Sequence, residues 1–372
     1  MFACTGNEKG TTIDSSPVVA HLDNNGVVVC DLTLVRDTVD LPLSAFCSDF
    51  EIIRLDNSDD AIVGDGSVWI SDNYLGIFSY EAGAYKLFDR KGKFIKDICK
   101  RGQGPNEFLY GIYDSYIDET EEKIYIFSGM ASKIMVFDLQ GNPLEPIPLP
   151  FMGHKVKMKI NVREQTVVLL ALPFENTPYV VWKQDFKGNV IQSIPAGQFT
   201  IIPNDYSNEV DALFNSDAID YYLFRWGPKV DSLYHYDENS NILIPKFTAH
   251  FPNEAPSHSF EELPDYYTVR LYSDKFASSP PLRDILIDKQ TLKGAHVRYK
   301  LDFLGNMDGH LFIWFNRGYA IANTHPADFK ERIEAALEQE NLTTEMRQKL
   351  TELNGSISDD DNNIVLIAKL KQ

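Results

Sequence analysis

The segment FDRKGKF, residues 88–94, contains an aspartate-led turn that recurs four more times along the chain. The other copies are FDLQGNP at 137–143, QDFKGNV at 184–190, YDENSNI at 236–242 and IDKQTLKG at 287–294. Their aspartates, Asp89, Asp138, Asp185, Asp237 and Asp288, are 49, 47, 52 and 51 residues apart. Each turn separates two β-rich runs, and a period of about 40 to 50 residues of strands is typical of a β-propeller blade. The pattern therefore predicts an all-β fold, a six-bladed β-propeller of four-stranded antiparallel blades.

The repetition also indicates what these aspartates do. An aspartate that begins a turn accepts a hydrogen bond from the backbone two residues further along, so a structural role explains its presence in every blade. A catalytic aspartate would not need to recur five times. We therefore interpret the five residues as turn initiators. A sixth aspartate turn is absent, and a helical segment occupies the position where that turn is expected.

The helical segment lies near the end of the chain. Pro326 fits a first helical position, and Phe329, Ile333, Ala336 and Leu337 follow at helical spacing. Thr343 and Gly355 fit the N-cap and the end of a second helix. We expect a helical hairpin at about 326–355 inserted in the last blade, after which IVLIAKL (364–370) completes that blade. In the fifth blade, Pro280 and Pro281 are expected outside the central strands.

Composition restricts the classes of partner. The 372 residues include 35 Lys and Arg against 54 Asp and Glu, for a net charge of −19. Nucleic acids and anionic membrane surfaces select for basic patches, so we expect neither as a partner. No apolar stretch reaches the roughly 18 residues of a membrane helix. The histidines are scattered and the cysteines lack metal-ligand spacing, so we expect no metal and no cofactor. A disulfide between two of Cys30, Cys47 and Cys99 is left open.

The N-terminal segment MFACTGNEKG resembles the end of a bacterial lipoprotein signal peptide. In that resemblance Cys4 is the lipidated residue, and membrane association would depend on this lipid anchor alone. The alternative is a frayed terminus that happens to contain a cysteine. We favour residues 1–17 as a signal remnant and flexible tether, followed by the propeller at 18–372.

The run KRGQGPNEF, residues 100–108, joins the first two predicted blades. It resembles the G-x-G-P-x-E-F junction of NHL-like six-bladed propellers, within a family of uncharacterised bacterial lipoproteins. Other family marks are EIIRLDNSDDAIVGD (51–65), ILIPKFTAHF (242–251) and DDDNNIVLIAKLK (359–371). Asn363 departs from the proline that is common there. Physically, Gly102 and Gly104 would permit positive φ at a tight crossing, Glu107 can accept backbone N–H bonds, and Phe108 can pack between blades.

Propellers bind ligands in the central channel or on one rim. The candidate ligand-binding residues are Arg101, Gln103, Asn106, Asp118, Arg225 and Trp226. The same argument brings in Asp72, Asn73, Asp114 and Arg270, although a structural role is the alternative for each. Trp69, Trp182, Trp226 and Trp314 fall in predicted strands, where packing between blades is the more common role.

Two functional classes remain open at this stage. The first is a non-catalytic lipoprotein of the bacterial cell envelope that binds a protein, peptide or glycan through its rim or channel. It rests on the absence of nucleophile and phosphate-binding motifs and on the family resemblance. The second is a metal-dependent hydrolase or lyase like the gluconolactonase-type or amidating-lyase propellers. Convergence of three or four metal-ligating side chains at the channel would favour the second class.

Overall fold

The computed structural model describes residues 13–225, 229–272, 281–309 and 313–372, with 281–283 described by their backbone alone. Six antiparallel sheets follow one another around a central channel, which confirms the predicted six-bladed β-propeller. Three of the residues singled out above, Cys4, Trp226 and Pro280, lie outside the described part of the chain.

The strands are given in chain order. The N-terminal strands are β1 (Ala20–Leu22), β2 (Val28–Asp31), β3 (Thr38–Pro42) and β4 (Cys47–Arg54). Blade 1 contains β5 (Gly66–Ile70), β6 (Tyr74–Ser79), β7 (Ala84–Asp89) and β8 (Phe94–Lys100). Blade 2 contains β9 (Ile112–Asp118), β10 (Lys123–Ser128), β11 (Met130–Asp138) and β12 (Ile147–His154). Blade 3 contains β13 (Lys157–Asn161), β14 (Thr166–Leu170), β15 (Tyr179–Asp185) and β16 (Val190–Pro195).

The second half of the ring has the same order with additions. Blade 4 contains β17 (Glu209–Asp211), β18 (Asp220–Phe224), β19 (Leu233–Asp237) and β20 (Ile242–His250). Blade 5 contains β21 (His258–Glu262), β22 (Tyr266–Tyr272), β23 (Pro281–Asp288), β24 (Gly294–Leu301) and the short β25 (Met307–Asp308). Blade 6 contains β26 (Trp314–Asn316), β27 (Tyr319–Thr324), β28 (Ile364–Leu370) and, as its outer strand, β4. Pro281, expected outside the strands, is the first residue of β23, a position where a missing N–H is tolerated.

The aspartate turns join the third and fourth strands of blades 1 to 5, as predicted. The Asp89 carboxylate accepts hydrogen bonds from the backbone N–H groups of Lys91 and Lys93, both at 2.9 Å. Asp185 accepts the corresponding bonds from Lys187 and Asn189, also at 2.9 Å. The turn itself needs a residue with positive φ, which is Gly92 at 85° in blade 1. These contacts confirm the structural role of the repeated aspartate.

Blade 6 lacks this turn for a reason different from the one we expected. Its outer strand β4 comes from the N-terminal part of the chain and pairs antiparallel with β28, so no hairpin joins them. The helical hairpin instead lies between β27 and β28. Its helices are α1 (Pro326–Leu337) and α2 (Thr344–Gly355), and the hydroxyl of Thr343 caps α2 by accepting the N–H of Met346 at 3.1 Å.

The segment before β4 runs along the outer edges of two further blades. Strand β2 pairs parallel with β20 of blade 4, and β3 pairs parallel with β24 of blade 5. An outer strand otherwise presents unpaired N–H and C=O groups to water or to another chain. The N-terminal segment therefore covers the edges of three consecutive blades. The periodicity of the turns gave no sign of this arrangement.

Six clusters of buried apolar side chains are present among the described residues, one between each pair of neighbouring blades. Strands of blades 6 and 1 share one such cluster, which contains Ile321, Val365 and Ile77. Side chains on both faces of a sheet are thus buried, which explains why the strands alternate only weakly. Cys30, Cys47 and Cys99 are free and buried, so none of the disulfides left open is formed.

Asn362 connects the last strand to the segment that follows β4. Its side-chain amide donates to the carbonyl oxygens of Asp56 at 2.8 Å and Ala61 at 2.9 Å, and its Oδ1 accepts the N–H of Val63 at 3.0 Å. Asn362 is 3% exposed, so these backbone groups have no water to replace it. Two of the stretches quoted above as family marks, 51–65 and 359–371, are thus joined by this side chain as well as by the pairing of β4 with β28.

We expect Asn362→Ala to lower the free energy of unfolding by about 2 kcal/mol or more, because it leaves buried donors and acceptors unsatisfied. Urea denaturation followed by circular dichroism measures the change. The control is Asn239→Ala, at an exposed turn position, which should change stability by less than about 0.5 kcal/mol. Equal effects of the two substitutions would contradict the role of Asn362.

Candidate functional site

The central channel contains two cavities of similar size. We call the side of the ring where the first strand of each blade begins the upper face. The upper cavity has a volume of about 580 Å³ and is lined by the first strands of all six blades. The lower cavity has a volume of about 630 Å³ and lies where those strands end in blades 1 to 3. The helical hairpin follows β27 on the upper face.

A turn of blade 6 lies between the two cavities. Arg317, in the turn between β26 and β27, donates from Nη2 to both carboxylate oxygens of Asp114 in blade 2, at 3.1 and 2.9 Å. The same nitrogen donates to the carbonyl oxygen of Met158 in blade 3 at 2.9 Å. The guanidinium also stacks on Phe214 of blade 4, with 4.8 Å between the guanidinium carbon and the ring centre. Arg317 therefore crosses the channel and contacts three other blades.

Asp114 is the centre of this crossing. Besides Arg317, its carboxylate accepts the indole N–H of Trp69 in blade 1 at 3.3 Å and the backbone N–H of Met158 at 2.8 Å. Asp114 is 3% exposed. The backbone N–H of Ser115 in blade 2 also donates to it, at 2.9 Å. A buried carboxylate requires a counter-charge and several donors, and here four blades supply them. Asp114 was among the candidates from the sequence, and its contacts favour a structural role.

The wall of the upper cavity on the side of blade 5 holds a second buried ionic group. Arg270 is 1% exposed, and its guanidinium lies 3.4 Å from a carboxylate oxygen of Glu261 and 3.4 Å from one of Asp284. Its Nη2 donates to the carbonyl oxygen of Ile313 at 3.0 Å. The indole ring of Trp314 covers the guanidinium, with 5.1 Å between the ring centre and the guanidinium carbon. One cation thus faces two buried carboxylates.

Glu261 forms part of the wall of the upper cavity, and its Oε2 has no hydrogen-bond partner among the described residues. Burial raises the pKa of Glu261 to about 7, against the attraction of Arg270, and Asp284 and Asp211 raise it further. Burial likewise raises the pKa of Asp211 at the wall of the same cavity, although Lys157 opposes this shift. Near neutral pH the carboxyl group of Glu261 can therefore take or release a proton.

Aromatic side chains complete the upper cavity. Phe224, Tyr272, Trp314 and Phe315 are part of its lining. Trp314 is 50% exposed, whereas Trp69 and Trp182 are buried between blades. We expected Trp314 to pack between blades, and this expectation was wrong. Strand β26 has only three residues, so Trp314 lies at the edge of the cavity and presents part of its ring to solvent.

The ligand-binding candidates in the junction between blades 1 and 2 do not line either cavity. Arg101, Gln103 and Asn106 are exposed on the upper face. Gly102 and Gly104 do not have positive φ, in contrast to our expectation. A Cβ on Gly102 would instead lie 2.0 Å from the carboxylate of Glu107, which accepts the N–H of Gly104 at 2.7 Å. The glycines make room for this carboxylate.

The other junction expectations are confirmed, and the candidates Asp118 and Arg225 have structural contacts. Phe108 is buried and packs edge-on against Phe78, with ring centres 5.3 Å apart. Asp118 lines the lower cavity but accepts the backbone N–H groups of Thr120 at 2.8 Å and Glu121 at 3.0 Å. Arg225 donates to the carbonyl oxygen of Phe199 at 3.0 Å.

Glu261, Asp211 and Trp314 were not among the site residues predicted from the sequence. Of the additional candidates named from the sequence, Arg270 and Asp114 lie near the channel. The described residues contain no group of three or more His, Cys, Asp or Glu that could hold a metal ion. No helix in the described part of the chain is long and apolar enough to cross a membrane.

The fold and the site define a six-bladed propeller with a ligand-sized cavity at the upper end of its channel. Residues 27–369 match the family described as a domain of unknown function, DUF4934, and the chain belongs to this family. The resemblance found in the sequence is thus shown as membership of a family of uncharacterised propellers. No curated protein matches the chain at a significant level.

Solved structures of two Bacteroides proteins are similar to this chain. A "putative exported protein" of Bacteroides fragilis has a TM-score of 0.58 and 13% identity, over 90% of this chain and 100% of that chain. A member of the DUF4221 family from Bacteroides vulgatus has a TM-score of 0.46 and 13% identity, over 87% of this chain and 97% of that chain. At such identity the likeness to the first structure concerns the fold alone.

We expect Arg317→Met to lower the free energy of unfolding by about 3 to 5 kcal/mol, because it leaves the Asp114 carboxylate buried without its counter-charge. Urea denaturation measures the loss. Adding Asp114→Asn in the same chain should restore part of the stability, since the uncompensated charge is then removed.

Arg298→Met is the matched control, because Arg298 and Asp40 form an ion pair at the surface with side chains that are 54% and 41% exposed. Exposed pairs contribute about 0 to 1 kcal/mol. A loss for Arg317→Met no larger than that for Arg298→Met would contradict the role of the crossing.

Proposed function

We propose that this propeller is a non-catalytic protein of the bacterial cell envelope that binds a protein, peptide or glycan partner in its upper cavity. The observation that carries the proposal is the half-exposed ring of Trp314 beside the buried carboxyl group of Glu261, in a cavity of about 580 Å³. Small-ligand sites are typically concave, about 300 to 1,000 Å³, and combine apolar walls with a few polar groups. The upper cavity has these properties.

The residues of the cavity support recognition of a partner. Aromatic rings that keep one end in solvent are the usual anchors of binding sites, because they bury much surface at low entropic cost. Asn316 adds a side-chain amide to the wall, which can donate and accept hydrogen bonds at the same time. A partner that enters the cavity can therefore combine stacking on Trp314 with specific polar contacts.

The location in the envelope rests on the N-terminal sequence. Cys4 and the polar residues after it, up to residue 12, are what a lipid-anchored propeller needs, since such a segment would separate the ring from the membrane. Residues 13–17 lie against the ring instead, where Ile13 is buried in the cluster between blades 5 and 6. The name of the structurally similar Bacteroides fragilis protein, which mentions export, is consistent with this location. The lipid on Cys4 would be the only membrane attachment.

Substitution of Trp314 tests the binding site. We expect purified protein to bind soluble muropeptides, which present glycan and peptide in one probe, with isothermal titration calorimetry as the measurement. Trp314→Ala should weaken binding at least about tenfold, because anchor aromatics contribute about 2 kcal/mol or more. Tyr80→Ala is the control, since Tyr80 is 65% exposed and is not part of the lining of the cavity.

Unchanged affinity of Trp314→Ala, or absence of muropeptide binding together with turnover of a substrate, would contradict the proposal. Elemental analysis of the purified protein separates the alternative class. One equivalent of a tightly bound divalent metal would favour a metal-dependent hydrolase or lyase.

The lipid anchor is tested in cells that produce the protein from its own gene. We expect the protein to be labelled by a fatty-acid probe and to partition into the detergent phase, because an acyl chain adds about 0.8 kcal/mol per buried CH₂. Cys4→Ala should remove both properties, whereas Cys30→Ala, at a buried core position, should keep them. Aqueous partitioning of the unsubstituted protein would refute the anchor.

A further inference from the structure

We propose that the upper cavity recognises a primary ammonium group on an apolar stem, as in the lysine side chain of a peptide. This inference rests on the proposed binding function and specifies the chemistry of the ligand. The charges at the wall of the cavity and its apolar surface support this inference, which predicts an affinity that depends on pH.

The charges at blade 5 are unbalanced. Glu261 and Asp284 are both buried, and the guanidinium of Arg270 is the one cation that forms an ion pair with them among the described residues. Both oxygens of Asp284 and the Oε2 of Glu261 have no hydrogen-bond partner among the described residues. A buried carboxylate in this condition costs free energy unless a donor reaches it. An ammonium group has three N–H donors, and its positive charge would balance the second of the two carboxylates that share Arg270.

The surface that leads to Glu261 is apolar. Phe224, Tyr272, Phe315 and Ile321 line the cavity together with the exposed Trp314. A pyranose has C–H groups on its faces but hydroxyl groups around its whole edge, and apolar walls on several sides would leave some of these hydroxyl groups without partners. The tetramethylene stem of lysine instead covers apolar surface while its charged end continues to a polar group. The rings therefore favour an aliphatic stem over an amino sugar.

The depth of the carboxyl groups in the channel also favours a long side chain. Glu261 lies in β21 and Asp211 at the end of β17, so both are beyond the first residues of the inner strands, below the rim. Among the aromatic residues of the wall, Trp314 is the exposed one. A long side chain that enters from the upper face would pass the indole ring before its ammonium group reaches the carboxyl groups. A cation can also interact favourably with the face of the ring on its way.

The dependence on pH follows from the groups that face Glu261. These are Arg270 and Tyr272 on β22, Asp284 on β23, Tyr299 on β24, Asp211 on β17 and Asp220 on β18. Lys157 on β13 lines the same cavity and acts on Asp211. The pKa of Glu261 is raised to about 7 without ligand. A bound ammonium favours the carboxylate and lowers this pKa, so binding releases a proton. Affinity for the cation should rise as pH increases through 7.

The experiment compares two probes with the same stem. Nα-acetyl-lysine amide carries the ammonium group, and Nα-acetyl-norleucine amide lacks it. By calorimetry at pH 8, we expect the lysine probe to bind at least tenfold more tightly, and to lose up to tenfold in affinity for each pH unit below 7. Glu261→Gln should remove both the preference and the pH dependence, and Asp211→Asn should reduce the preference. Glu121→Gln, at an exposed position of the lower cavity, should change neither.

Circular dichroism and the melting temperature show whether each variant is folded. Should Glu261→Gln be unfolded, Asp211→Asn and the pH series on the unsubstituted protein decide the question. Equal binding of the two probes, affinity that does not change with pH, or tighter binding of glucosamine than of the lysine probe would each overturn the inference. Binding of neutral N-acetylglucosamine that is lost in Trp314→Ala and kept in Glu261→Gln would overturn it while supporting the proposed function.

Discussion

The pairing of β4 with β28 is the contact on which the other features of the ring depend. Each blade buries both of its faces against neighbours, so an open ring would expose two apolar faces, those of blades 6 and 1. Closure brings these faces together in the cluster that contains Ile77 and Val365. It also fixes where the first strands stand around the channel. Arg317 of blade 6 can reach Asp114 of blade 2 and Met158 of blade 3 only because the ends of the chain meet in one sheet.

Ionic groups in the channel are of two kinds. Asp114 has a complete set of donors from four blades, and such a group rigidifies the interior without offering anything to a ligand. Glu261 shares its cation with Asp284 and retains an oxygen without a partner. The same burial that makes Asp114 structural makes Glu261 a group that gains from a ligand with a charge or a donor. Asp114 and Glu261 are both buried, but among the described residues only Asp114 has hydrogen-bond donors for both of its oxygens. We therefore place the site at Glu261.

The sequence predicted most of the fold because its signals are local. An aspartate turn is decided by hydrogen bonds within five residues, so Asp89 and its four counterparts mark the blades without tertiary information. Helix caps such as Thr343 are local in the same way. The candidate site could be predicted only in part, since its residues are far apart in the chain and meet through ring closure. Arg101 and its neighbours stood out by motif, yet the motif serves the packing of Glu107 and Phe108 between blades.

The break in the repeat and the candidate site coincide in blade 6, and a physical reason connects them. This blade takes its outer strand from the N-terminal segment and has helices between its second and third strands. Its inner strand β26 has three residues, after which the chain turns at Arg317 into the channel. A strand of full length would continue the wall past Trp314 and cover its ring, as the regular strands around Trp182 do in blade 3. The short strand leaves the indole half exposed over the guanidinium of Arg270, so the irregular blade supplies both the divider of the channel and the exposed aromatic surface of the upper cavity.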